Sequence, residues 1–194
     1  MEKAFSQQLK EGELELPAGQ FALFMNSMYA VDAYVRDYFR KAALDALLAE
    51  KLPVTVFGEG WEKYFCGDEH SLRREPAVPF ALSFERIAKA HVLLNVSPIF
   101  NRGMHDRVPA GMANHAVVLT DENPYLRRTF TDGKELLFYS LIKPDTLCEQ
   151  AERALTDAGL REKIAASAYE TFEREYTWKR RAEQILAFAK EVEA

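Results

Sequence analysis

At 194 residues, with 48% hydrophobic and 28% charged side chains, the chain has the composition of one globular domain with a sizeable core. A formal net charge of −5 argues against nucleic-acid binding, yet leaves room for an anionic ligand held by focused local donors. No stretch approaches the roughly 20 apolar residues of a membrane span, and the polar start Met1-Glu2-Lys3-Ala4-Phe5 does not read as a signal peptide.

The first residues, Met1 to Glu15, are polar and read as a short helix or arm, closed by Pro17 and Gly19. We therefore divide the chain into an arm over 1–18 and one domain over 19–194, with 144–194 as its helical end. Phe21-Ala22-Leu23-Phe24-Met25 is a short apolar run that reads as a buried strand, ending at the turn-forming Asn26-Ser27. From Val31 to Leu48 apolar residues recur at helical spacing, opposite a charged side at Asp32, Arg36, Arg40 and Lys41. Pro53 stops that helix, and Val54-Thr55-Val56-Phe57 follows as a strand closed by Gly58. Strand, long helix and strand make a crossover unit, hence a parallel sheet.

Residues 59–80 read as irregular, with a short strand near Val78. Ser83 opens a helix over Phe84 to Ala90, and His91 to Val96 is the central-strand candidate. The loop Ser97 to Asp106 leads into a helix from Arg107 to Asn114, then a strand over Ala116 to Thr120. A turn at Asp121 to Pro124 precedes a short helix, and Leu136 to Tyr139 reads as the last edge strand. Thr146–Leu155, Leu160–Phe172 and Trp178–Val192 then read as three helices without intervening strands. The fold class is α/β: a Rossmann-like open parallel sheet with flanking helices and a helical carboxyl-terminal segment.

In such sheets ligands bind beyond the carboxyl ends of the strands. Of those positions, Asn101-Arg102-Gly103-Met104-His105-Asp106-Arg107 is the most polar. It sets cationic side chains beside a glycine just before a helix start, and both an arginine fork and helix-start amides suit phosphate oxygens. The other reading of the same residues is a solvated loop whose Asp106 pairs with an arginine and caps the helix. Gly58-Glu59-Gly60 does not complete a dinucleotide fingerprint, since position 63 is Lys, and no P-loop motif is present. His105, Asp106 and His115 match no metal-ligand spacing, so no metal and no cofactor are expected. Cys66 and Cys148 fit neither a metal motif nor a disulfide framework; Cys66 reads as an idle thiol, and a reducing cytoplasm is the expected setting.

The run HVLLNVSPIFNRGMHDRVPAGMANHAVVLTDENPYLRRTFTDGKELLFYS, with FGEGW at 57–61 and YTWKRRAEQIL at 176–186, resembles the carboxyl-terminal domain of GT-B glycosyltransferases. The resemblance is to the branch related to the CgeB proteins, near glycosyltransferase families one and four. It covers roughly residues 20–190 and rests on the order of several motifs. It implies the second of two Rossmann-like halves, binding a nucleotide-sugar (UDP-, GDP- or similar) in a cleft between halves. The donor-binding residues it implies are Arg102, Gly103, His105, Asp106 and Arg107, with Asn26 and Ser27 facing the same cleft. It assigns no catalytic base to this chain.

The sequence also departs from that pattern. Related retaining enzymes commonly carry two glutamates eight positions apart; here those positions hold Arg102 and Ala110, and His115 stands where glycine is usual. The CgeB-like branch does not always keep the second glutamate, but its loss removes a carboxylate that could grip ribose or sugar. A GT-B enzyme also needs an amino-terminal acceptor-binding half, which 194 residues do not accommodate beside this one. The expectation is a donor half insufficient for turnover by itself, whether excised or stand-alone. The alternatives are a glycosyltransferase-like interaction domain with a degenerate site, and a flavodoxin-like sugar-phosphate enzyme complete in one domain.

Overall fold

The computed structural model describes residues 2–13, 15–65, 67 and 69–193. Cys66, read above as an idle thiol, lies outside them, as do Met1 and Leu14 of the expected arm. The chain gathers into two units, Met1–Tyr38 and Phe39–Ala194.

In the first unit, helix α1 (Glu2–Glu11) and helix α2 (Ala18–Ser27) precede the start of α3 (Tyr29–Ala49). The strand expected at Phe21–Met25 is therefore a helix, and Asn26 and Ser27 end that helix rather than follow a strand. The reason is visible in Phe5, whose ring stacks on Phe24 at 4.0 Å and on Phe21 at 6.0 Å. Residues three apart share one face of a helix but point to opposite faces of a strand. Periodicity in a short apolar run could not tell these apart.

Among the described residues the second unit holds five strands, all in parallel pairs. Strand β1 (Val54–Phe57) pairs with β2 (Leu72–Glu75). Strand β3 (Val92–Asn95) pairs with β4 (Val117–Asp121), and β4 with the edge strand β5 (Leu137–Tyr139). The strand expected near Val78 instead lies earlier, at β2: Pro76 and Pro79 flank Val78 and lack the N–H a ladder needs. Helix α4 (Phe80–Ile87) also starts ahead of Ser83, whose hydroxyl donates back to the Phe80 carbonyl at 2.6 Å instead of capping.

Strands β4 and β5 are buried on both faces, which is why Val117–Leu119 and Leu137–Phe138 run without a polar residue. On one face Val117, Leu119, Leu137 and Tyr139 pack with Ala43 and Leu47 of α3, Ile164, and Leu147 and Ala151 of α7 (Pro144–Thr156). On the other, Val118, Leu136 and Phe138 pack with Val108 and Met112 of α5 (Arg107–Ala113), Leu126 of α6 (Pro124–Thr129) and Ala168 of α8 (Ala158–Glu175). Gly111 lets α5 approach this closely: a Cβ there would stand 2.5 Å from Val118 Cγ2 and 3.0 Å from Leu93 Cδ2. Helix α9 (Trp178–Glu193) completes the three-helix end that the sequence pattern predicts.

Two helices end on the same backbone device with an uncommon residue. After α3, the Lys51 amide donates to Leu48 O and the Leu52 amide to Leu47 O; after α5, the His115 amide donates to Met112 O and the Ala116 amide to Gly111 O. This is the Schellman pattern, whose turning residue is left-handed and usually glycine. Lys51 and His115 both sit there at φ 57°. His115 thus occupies a position where glycine is favoured for backbone reasons, and its ring stacks on Tyr169 at 4.3 Å.

Candidate functional site

The polar centre of the second unit lies where β3 and β4 end. The apolar run of β3 breaks at Asn95, which is completely buried and stands opposite Thr120 in the register. A buried amide must satisfy its donors and acceptors within the protein. Asn95 Nδ2 donates to Thr120 Oγ1 at 2.9 Å, and Thr120 Oγ1 in turn donates to Asp121 O at 3.2 Å. Asn95 Oδ1 accepts from Ser97 Oγ at 3.1 Å and from Arg107 Nε at 3.0 Å. The Tyr139 hydroxyl donates to Asn95 O at 3.1 Å, tying β5 to the same point. Asp121, also buried, accepts the Ser97 amide on Oδ1 at 2.6 Å and so fixes the first residue of the following loop.

Arg107 brings a cation into this network from the first position of α5. Its Nη2 has only a long 3.5 Å contact to Val96 O besides the Nε bond to Asn95. Among the described residues no carboxylate lies within ion-pair distance of its guanidinium. Burial lowers its pKa, with the nearby charge of Arg40 adding to the effect and Asp106 and Asp121 opposing it. The carboxyl of Asp121 is pushed up to about 6 by burial, partly offset by the Ser97 amide and Arg107. Burial likewise raises the Tyr139 hydroxyl, which keeps it a donor. His105 is lowered by burial and by Arg107, against the pull of Asp106, so the ring is neutral at pH 7. Its Nδ1 faces both the Arg107 amide, at 3.2 Å, and the Asp106 carboxylate, and can serve only one at a time.

Of the residues the sequence singles out, His105, Asp106 and Arg107 meet directly here. Gly103 is tied instead to the start of α6, its carbonyl accepting from Asn123 Nδ2 at 3.3 Å. Arg102 is exposed on the same loop. Asn26 and Ser27 belong to the first unit, where Ser27 Oγ donates to Phe24 O at 2.7 Å. Asp106 neither caps α5 nor pairs with an arginine; it is exposed and pairs with His105. The helix-start amides expected to face an anion are also occupied. Arg107 N donates to His105 Nδ1 and Val108 N to His105 O, position 109 is proline, and Ala110 N donates to Asp106 O. At this helix start the Arg107 guanidinium remains open to an anion.

Sequence reasoning missed Asn95 as the partner of Arg107, and Asp121 and Tyr139 as members of the network around it. A polar residue ending an apolar strand run was the available signal for Asn95 and Asp121; nothing local marks Tyr139 or Arg40. The glycines after β1 serve a different end: Gly58 and Gly60 turn the chain at φ 125° and 89°, letting Trp61 Nε1 donate to Phe57 O at 3.3 Å. An open groove of about 660 Å³ lies at the opposite ends of β3 and β4, lined by His91, His115, Arg161 and Tyr169 among others. Its Arg161 already donates to Ala154 O and Leu155 O, both at 2.8 Å, and its Lys89 is exposed.

Residues 36–187 match the family described as glycosyl transferase-like. The chain belongs to that family. Its fold is similar to that of Anabaena Alr3699/HepE, crystallised with UDP-glucose, with UDP and glucose, and with UDP. The UDP complex superposes with a TM-score of 0.64 at 12% identity, over 79% of this chain and 44% of that one. A glycosyltransferase from Rickettsia africae ESF-5 gives a TM-score of 0.54 at 11% identity, over 64% of this chain and 32% of that one. TarM gives 0.59 at 12% identity, over 77% and 31%. Such identities speak for the fold: a Rossmann-like GT-B half with parallel strands and a helical end. This glycosyl transferase-like chain spans less than half the length of each of these structures. Among curated proteins, no sequence matches it. No described helix is long and apolar enough to cross a membrane.

Proposed function

We propose that this chain is the nucleotide-sugar donor half of a glycosyltransferase, of the CgeB-like branch and acting in the cytoplasm. It would transfer sugar from a UDP- or GDP-type donor to an acceptor held by a separate amino-terminal half. The observation that carries the reading is the half-buried guanidinium of Arg107, without a carboxylate partner among the described residues, at the carboxyl ends of the central parallel strands. A half-buried cation with only an amide and a distant carbonyl beside it is completed by an anion, and the diphosphate of a nucleotide sugar is such an anion. The UDP and UDP-glucose complexes of the HepE relative agree with this choice of ligand.

In this reading Arg107 offsets the charge that develops on the departing diphosphate, with Arg102 as a second, exposed cation. Neutral His105, its ring held through Nδ1 by the Arg107 amide, hydrogen-bonds a phosphate or sugar hydroxyl, with Asp106 and Gly103 on the open loop beside it. The family resemblance adds Asn26 and Ser27 to the donor-binding set. No side chain of this half is assigned as the base that activates the acceptor. Calorimetric titration of UDP, GDP and their sugars into wild type and Arg107→Ala tests the site. Loss of one charge-assisted contact is expected to weaken binding about tenfold to a hundredfold. Equal affinity in both proteins, or no saturable binding by any of these ligands, overturns the assignment.

A second reading, a glycosyltransferase-like interaction domain without catalysis, is favoured by Ala110, which lacks the carboxylate common in related retaining enzymes. Nucleotide binding without donor hydrolysis or transfer, even with an acceptor half supplied, would support it.

A further inference from the structure

We propose that Asn95 is the positioning residue of the anion site: it sets which edge of the Arg107 guanidinium faces outward, and Thr120 sets Asn95. The proposal rests on the donor-site reading above and names the part of the fold that regulates its strength.

A guanidinium offers planar edges, each a pair of N–H donors. At Arg107 the edge bearing Nε faces Asn95 Oδ1 at 3.0 Å, with Nη2 reaching Val96 O at 3.5 Å. Among the described residues Nη1 has no acceptor, so the outer edge keeps its donors for a ligand. This orientation requires the Asn95 oxygen, not its nitrogen, to face the arginine. Thr120 enforces that choice: its hydroxyl proton is directed to Asp121 O, leaving Oγ1 as the acceptor for Asn95 Nδ2. The Ser97 hydroxyl adds a second donor on the oxygen side. Every donor and acceptor of the buried amide is thereby consistent with one orientation. The acceptor is also neutral, so it aims Arg107 without cancelling its charge. An aspartate of the same shape would hold the arginine equally well but pair with it.

The test uses the 194-residue chain with inorganic pyrophosphate, UDP and uridine as probes, in wild type, Asn95→Asp and Thr120→Val. Asn95→Asp is expected to weaken pyrophosphate and UDP binding tenfold or more by pairing with Arg107. Thr120→Val keeps the buried volume but frees the amide to turn; a threefold to tenfold loss is expected. In both, the ratio of UDP to uridine affinity falls, whereas a merely structural role would lower the two affinities together. Unchanged pyrophosphate affinity in both folded variants overturns the positioning role and leaves the donor site standing. Pyrophosphate binding by wild type without UDP binding, lost in the variants, overturns the donor reading and keeps Asn95. No binding of either probe by wild type overturns both. If neither variant folds, Asn95 and Thr120 are structural residues and the proposal fails.

Discussion

The two parallel sheets are built from strands of three to five residues, yet they treat polar groups in opposite ways. Strands β1 and β2 are covered thinly: β1 alternates half-buried and exposed residues, and β2 buries only Leu72. Its arginine, Arg74, donates to Trp61 O at 3.1 Å and Tyr64 O at 2.8 Å and pairs with Glu69. Strand β4 is buried along its whole length, and the polar groups at its end are sealed with it. There Arg107 has an amide and a distant carbonyl for partners, and Asp121 a single amide besides its own backbone. Thick cover makes each charge matter more, because little water remains to screen it. Arg74 is a structural cation; Arg107 is one the fold tolerates.

The largest effect should come from the close packing beneath β4. Gly111→Ala puts a methyl against Val118, which is fully buried and cannot move aside. A loss of about 1–3 kcal/mol is expected, or a fall of roughly 4–10 °C in Tm by thermal melting. An unchanged Tm would mean that the sheet yields more than its burial implies.

Next is the pH response of Asp121. Its folded pKa, about 6, is raised above the ordinary 3.8, so the folded state holds the proton more tightly. That advantage is full below about pH 4 and is lost as pH rises through about 6. Wild type should therefore lose roughly 2 kcal/mol relative to Asp121→Asn across that window. Urea unfolding at pH 4 and pH 7.5 measures it, and a constant difference would refute the burial argument.

The two arginines separate the sheets directly. Arg74→Ala removes bonds to two main-chain carbonyls and should destabilise by about 1–2 kcal/mol. Arg107→Ala removes a poorly compensated half-buried cation and should leave stability within about 1 kcal/mol, while ligand binding falls. Denaturant midpoints for both variants decide this; equal losses would erase the distinction.

The smallest effects concern the two left-handed helix ends. Lys51→Gly relieves the strain of φ 57° and should stabilise by about 1 kcal/mol. His115→Gly relieves the same strain but forfeits the stack on Tyr169, so it should be near neutral. A large loss for His115→Gly alone would give the ring stack more weight than assigned here.

Much of the second unit was legible in the sequence because its strands are buried on both faces and its helices are long. His91–Val96 and Ala116–Thr120 announce β3 and β4, and the three final helices follow from their spacing. Charged β2 was not legible: Arg73, Arg74 and Glu75 resemble loop residues until β1 supplies their backbone partners. The segment Phe21–Met25 was misread because only Phe5, far off in sequence, distinguishes a helix there. At the candidate site, Arg107 and its loop were visible as a cluster of cations after a strand. The sequence by itself determined the α/β succession of the second unit, the loop that carries the cations, and the family. Tertiary structure decided which cation of the loop reaches the buried strand ends, that the helix-start amides are already taken, and that Asn95, itself held by Thr120, bonds the arginine. Those outcomes depend on register and burial, which join residues such as Asn95 and Tyr139, 44 positions apart in the chain.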